Sequence, residues 1–236
     1  MHVTIDSSDR MTRLQVKSIG MGLMLAVAMF TPMSHSDAQT KMPTPADLPS
    51  SFTAISPIFS QLVSFSIPAN FVVVFENTHN ERYTREAVLK GETLQQWSEM
   101  ITITGAKGLA SAPNASAQNF AGSIAAGFKR ACPDSFAIKP FGATTFDGHE
   151  AFVGVVGCGR LGNNDATTYS ETTLLVAVKG SSDMYTLQWA ERGAASDKAN
   201  VGDGKWQDRL KQLLPIRVCP IVPGEAPPYP SCVGKS

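Results

Sequence analysis

Asp147-Gly148 is the feature that most restricts what this chain can fold into. The pair sits between two β-rich segments, residues 136–146 and 150–156. Asp-Gly between such segments is a strong hairpin signal, because the favoured two-residue turn needs positive φ at both positions. Two more β-rich segments follow, residues 172–179 and 184–191, joined by Gly180-Ser181-Ser182-Asp183. In the last of them Tyr185, Leu187 and Trp189 point one way, and Thr186 and Gln188 the other. Turns this short join antiparallel neighbours, whereas parallel strands need crossovers of roughly a dozen residues or more.

The N-terminal half repeats the pattern. Residues 65–67 and 71–75 flank Pro68-Ala69-Asn70, and residues 81–89 return after the turn "NTHNE". Three helices are expected. Thr93 followed by Gln96 forms a capping box, with Leu94, Trp97 and Ile101 on one face of a short helix. Residues 117–131 carry Phe120, Ile124 and Phe128 at four-residue steps, and residues 205–214 form a last amphipathic helix ended by Pro215. The order β-β-α-α-β-β-β-β-α predicts an α+β domain, a central antiparallel sheet flanked by helices. Residues 39–57, rich in Pro, Ser and Thr, read as a flexible lead-in to a single domain over 58–216.

Arg13 and Lys17 precede an apolar run over residues 19–30, followed by a polar stretch in which Ser36 and Ala38 offer small residues. That is the build of a secretory signal peptide, with cleavage after Ala38. The run is too short for a bilayer, which takes roughly 20 residues. No transmembrane segment is expected after cleavage, and no cysteine follows the run to carry a lipid. Export makes periplasmic or secreted localisation the expectation. The full chain has 20 basic and 20 acidic residues, and the leader removes three of each, so the mature chain is neutral. Neutrality without a basic block argues against nucleic-acid binding.

In an oxidising compartment, Cys132, Cys158, Cys219 and Cys232 predict two disulfides. Three pairings are open. Cys219 with Cys232 would close the Pro-rich tail of residues 217–236, which leaves Cys132 with Cys158. The competing reading is a catalytic thiol beside His79 or His149. In the closed tail Pro228, Tyr229 and Pro230 are a candidate partner contact, since a rigid polyproline segment loses little entropy on binding.

Gly157-x-Gly159-x-x-Gly162 has the spacing of a dinucleotide-binding loop. That loop works only where a strand ends and a helix begins, so that free amides face the pyrophosphate. Here Asn163-Asn164-Asp165 and β-rich sequence follow instead. Residues 157–165 therefore read as a loop between antiparallel strands, its glycines serving positive φ and bulges. No nucleotide or other cofactor is expected. Asp147, His149 and Glu150 could suggest a metal, but a polar hairpin tip accounts for them, and we assign neither metal ligands nor catalytic residues.

Residues 65–104, "FSIPANFVVVFENTHNERYTREAVLKGETLQQWSEMITIT", resemble the opening of bacterial PsbP/DcrB-like domains. The matching positions are Pro68, Gly91, Glu92, Thr93, Leu94 and Trp97. The resemblance implies an antiparallel sheet between helices and accessory or assembly roles rather than catalysis. The chain departs from that group in lacking a lipid anchor and in its four cysteines and Pro-rich tail. The expectation is an exported, non-enzymatic accessory or binding protein of the bacterial envelope, whose partner is a protein or envelope component. A small exported hydrolase and a carrier of a small apolar ligand are the alternatives.

Overall fold

A computed structural model describes residues 50–162 and 168–233; residues 1–38, the expected leader, lie outside them. The described residues belong to one compact unit. In chain order the strands are β1 (Ser51–Ile58), β2 (Gln61–Pro68), β3 (Phe71–His79), β4 (Arg82–Leu89) and β5 (Glu99–Ala106). Helix α1 (Ala117–Ala131) follows, then β6 (Phe136–Phe146), β7 (His149–Leu161), β8 (Tyr169–Lys179) and β9 (Met184–Ala194). The end comprises α2 (Lys205–Leu213), β10 (Arg217–Pro220) and the single turn α3 (Pro230–Val233).

Seven strands form one antiparallel sheet in the order β3-β4-β5-β9-β8-β7-β6, and β1-β2-β10 form a second sheet. Asp147 and Gly148 have φ of 49° and 80°, the positive pair that the β6–β7 hairpin needs. Strand alternation then sorts two cores. Leu174, Val176 and Val178 of β8 join Leu187, Trp189 and Ile103 in a core shared with β2 and α2. Leu175 and Ala177, one residue out of phase, face α1 on the other side. The expected α+β architecture is what the chain adopts, with a helix on each face and a small sheet added to one of them. Among the described residues, no helix is long and apolar enough to cross a membrane.

The two sheets approach closely. A Cβ on Gly105 would lie 2.5 Å from Ile58 Cγ2. Asp183 fastens the same corner, accepting hydrogen bonds from Ser60 N (3.2 Å) and Gly108 N (2.7 Å). The hydroxyls of Ser60 and Tyr185 donate to it as well. Burial pushes the Asp183 carboxyl up, but these donors outweigh it and hold the group below the ordinary carboxylate range. Across the core, Arg209 of α2 pairs with Glu99 (2.9 Å) and Glu191 (2.7 Å), and lies against Trp189 and Trp206.

Three expectations need correction. Residues 51–57, assigned to the lead-in, are in β1, paired with β2 along its whole length from Ser51↔Pro68 to Ile58↔Gln61. Pro57 is tolerated because β1 is an edge strand. Residues 217–220, assigned to the tail, form β10 and pair with β2. The helix expected from Thr93 is absent: Gln96 N does donate to Thr93 Oγ1 (3.1 Å), but the chain turns and enters β5 at Glu99. The capping chemistry forms without a helix because Ile101-Thr102-Ile103-Thr104 is β-branched and alternating, and pairs on both sides.

Both disulfides, Cys132–Cys158 and Cys219–Cys232, are formed with Cα–Cα separations of 5.7 Å. The first ties the end of α1 to β7, and the second ties β10 to α3.

Candidate functional site

Helix α1 covers only half of its face of the large sheet, and the ladders show why. Across β8, β7 and β6 that face presents Leu175, Gly154 and Pro140 in one row and Val156 and Ile138 in the next. Across β4, β5 and β9 the same face presents Thr84-Thr104-Thr186 and Glu86-Thr102-Gln188. The apolar half attracts the helix and the polar half is left to water, as antiparallel sheets allow.

Local chemistry sets α1 in place. Ser116 accepts from Asn119 N (3.0 Å) as N-cap, and Glu150 Oε1 accepts from Ala117 N (2.9 Å). Ala117, Ala121 and Ala125 are the buried seam. Phe120 and Ile124, which the four-residue spacing puts on one face, are only partly buried beside it, and Phe128 is half-buried. A seam of alanines seats the helix close to the sheet, so its flanks become grooves.

On the β6–β7 side the groove measures about 710 Å³ and is lined by Ala121, Gly122, Ala125, Ile138, Pro140, Phe152 and Gly154. It lies open: Ile138 is 48% exposed and Gly122 is exposed too. On the polar side, a trough of about 430 Å³ is lined by Thr84, Glu86, Thr102, Thr104 and Gln188, with Trp97 and Arg192 at one end. Thr104 and Thr186 share a 2.7 Å hydroxyl contact, and Gln188 Nε2 donates to Thr186 Oγ1 (3.1 Å). Arg192 pairs with Glu171 (3.1 Å) and lies 3.8 Å from the Trp97 ring centroid and 4.5 Å from that of Tyr169. Burial alone raises the Glu86 carboxyl above its ordinary value.

The residues singled out from sequence are elsewhere. His149 Nδ1 contacts the Lys179 carbonyl oxygen at 3.1 Å, and Glu150 is spent on the α1 N-terminus. Neither lines the two grooves. Cys132 and Cys158 are disulfide-bonded, so no thiol stands beside either histidine. Pro228 and Pro230 are exposed, while Tyr229 is half-buried against Leu62, Cys219 and Cys232.

The glycine motif has a different explanation from the one expected. β7 runs through Gly157 and Gly159 to Leu161, with a bulge after Cys158. A Cβ on Gly157 would sit 2.5 Å from the Glu171 carbonyl oxygen, and one on Gly159 equally close to that of Ser196. Neither of these two glycines has positive φ: both admit backbone, and Gly159 lies in the bulge as expected, while Gly162, with φ of 115°, takes the expected positive φ. Residues 163–165 of the expected loop lie outside the described residues.

The trough was not legible in advance. Its residues come from β4, β5, β8 and β9 and from the segment between β4 and β5, brought together by strand pairing. The sequence signal that could have found it is the placement of Thr, Glu and Gln at every second position of β-rich segments on the face opposite the apolar set.

No protein-family model matches the chain, and no curated protein sequence matches it. Among solved structures the chain is similar to cyanobacterial PsbP (CyanoP) from Synechocystis sp. PCC 6803. That match has 10% identity and a TM-score of 0.41, over 72% of this chain and 90% of the other. A structure from Bacteroides thetaiotaomicron VPI-5482 matches at 10% identity and TM-score 0.38, over 75% of this chain and 50% of the other. The Ran-binding protein Mog1p of Saccharomyces cerevisiae matches at 9% identity and TM-score 0.37, over 60% and 78%. The first match falls in the PsbP-like group that residues 65–104 resemble.

Proposed function

We propose that the chain is an exported, non-enzymatic binding protein of the bacterial envelope. Its site would be the groove between α1 and β6–β7, taking an apolar segment of a protein partner. One observation carries the reading: about 710 Å³ of groove walled by Ala121, Ala125, Ile138, Pro140 and Phe152 stays open beside a helix already capped and packed. Exposed apolar concavities of this kind are where partner side chains gain most on leaving water. Openness supports a protein segment over a small apolar molecule, which would need a closed cavity to leave water fully. Two disulfides support an oxidising compartment. Pro228 and Pro230 on the tail are a second surface that a partner could touch.

The test is in-cell photo-crosslinking with a benzophenone side chain at Ile138, at Pro228, or at Asn77 on the far edge strand as control. Adducts to one envelope protein from position 138, abolished by Gly122→Trp, would support the groove. Adducts from 228 alone would move the contact to the tail, and none above the control would overturn the binding reading. Mass spectrometry of the recovered protein tests export separately, with Gln39 expected as first residue.

A further inference from the structure

The polar trough over β4, β5 and β9 carries chemistry that the apolar groove does not use. We propose that it is a saccharide site, taking one pyranose ring of a neutral glycan against Glu86, Thr102 and Gln188. Glu86 stands opposite Thr102 on the ladder, and Thr102 opposite Gln188, so three polar groups lie in a row at strand spacing of about 4.8 Å. Hydroxyl and amide groups both donate and accept, which is what a ring bearing several hydroxyls requires of its partners. Gln188 is already oriented, because one of its amide protons goes to Thr186 and leaves the other and the carbonyl free.

Glu86 supplies the anchoring group. It makes no hydrogen bond or ion pair among the described residues, and burial raises its carboxyl. An ionised carboxylate has two oxygens to accept from two adjacent hydroxyls at once, and hydrogen bonds to charged groups are the stronger kind. The end wall is Trp97 beside Arg192. Arg192 is neutralised by Glu171 at 3.1 Å, so it does not invite a phosphate. Glu171 is neutralised in turn, which leaves Glu86 as the lone uncompensated charge of the lining, fewer than a divalent cation needs. About 430 Å³ accommodates one ring with its substituents.

The experiment screens the oxidised mature chain on an array of neutral and amino glycans. Calorimetric titration with maltotriose, chitotriose, putrescine and inorganic phosphate then follows. Saturable binding of a neutral oligosaccharide is expected, weakened about ten-fold by Glu86→Gln and several-fold by Thr102→Val. Ile138→Arg, in the apolar groove, should leave it unchanged, so the two sites succeed or fail independently. Glu86→Gln removes an unpaired carboxylate and is expected to fold. Binding of putrescine or phosphate alone would overturn the proposal. So would glycan binding that neither trough substitution alters, or no saturable glycan binding at all.

Discussion

Two carboxylates, Asp183 in the turn before β9 and Glu86 on β4, have opposite relations to stability. Asp183 is 2% exposed and receives two backbone amides and two hydroxyls. Its folded pKa lies below the ordinary value because those donors outweigh its burial. A carboxyl depressed in the folded state adds stability above its unfolded value of about 3.9, and loses it as pH falls through the folded value. Asp183→Asn should therefore cost about 2–4 kcal/mol at pH 7, and the gap to the parent should narrow below about pH 4. Urea denaturation at several pH values checks both halves. Glu86 is the reverse case, its folded pKa raised by burial. Its cost to folding is full above the folded pKa and gone below the unfolded value of about 4.3. Glu86→Gln should thus raise the thermal midpoint at pH 7 and leave it unchanged at pH 4, as calorimetry would show. A residue that lowers stability yet supports binding is what a functional site predicts.

At the scale of elements, the strands were legible where alternation and turn residues agreed. β9 shows it, with Tyr185, Leu187 and Trp189 buried on one face, and so does the hairpin at Asp147-Gly148. β1 was missed because "SFTAISPI" has the Ser, Thr and Pro content of a linker. Its pairing partner, not its own composition, makes it a strand. A chain beginning at Phe59 should accordingly be less stable than one beginning at Ser50, with a smaller urea m-value, since less surface is buried. Equal midpoints and m-values would restore the lead-in reading. The region after Thr93 failed in the opposite direction: a local cap was present, and the β-branched run beyond it decided the outcome. The candidate site was less legible than the fold. The apolar groove flanks a helix whose contact face is alanine, so its shape depends on how closely α1 sits, and the trough depends on which strands pair; both are tertiary quantities.

For the whole molecule, the disulfides close separate parts of the chain. Cys132–Cys158 spans 26 residues and ties α1 to β7; Cys219–Cys232 spans 13 and holds the tail on β10. On the chain-entropy model they contribute about 3.5 and 3 kcal/mol respectively, nearly equal. Their structural consequences are not equal. The first bridge ties the end of α1 to β7, the helix and one of the strands whose residues line the apolar groove. The second closes a cluster of Leu62, Cys219 and Cys232 on the opposite face of the molecule. Cys132→Ser with Cys158→Ser should therefore lower stability and also abolish crosslinks from position 138. Cys219→Ser with Cys232→Ser should lower stability by a similar amount and leave those crosslinks in place. Measuring both variants by urea denaturation and photo-crosslinking separates a loss of global stability from a loss of the groove. If the tail variant also lost the crosslinks, the partner would be held by the tail, and the groove would be only a consequence of how α1 packs.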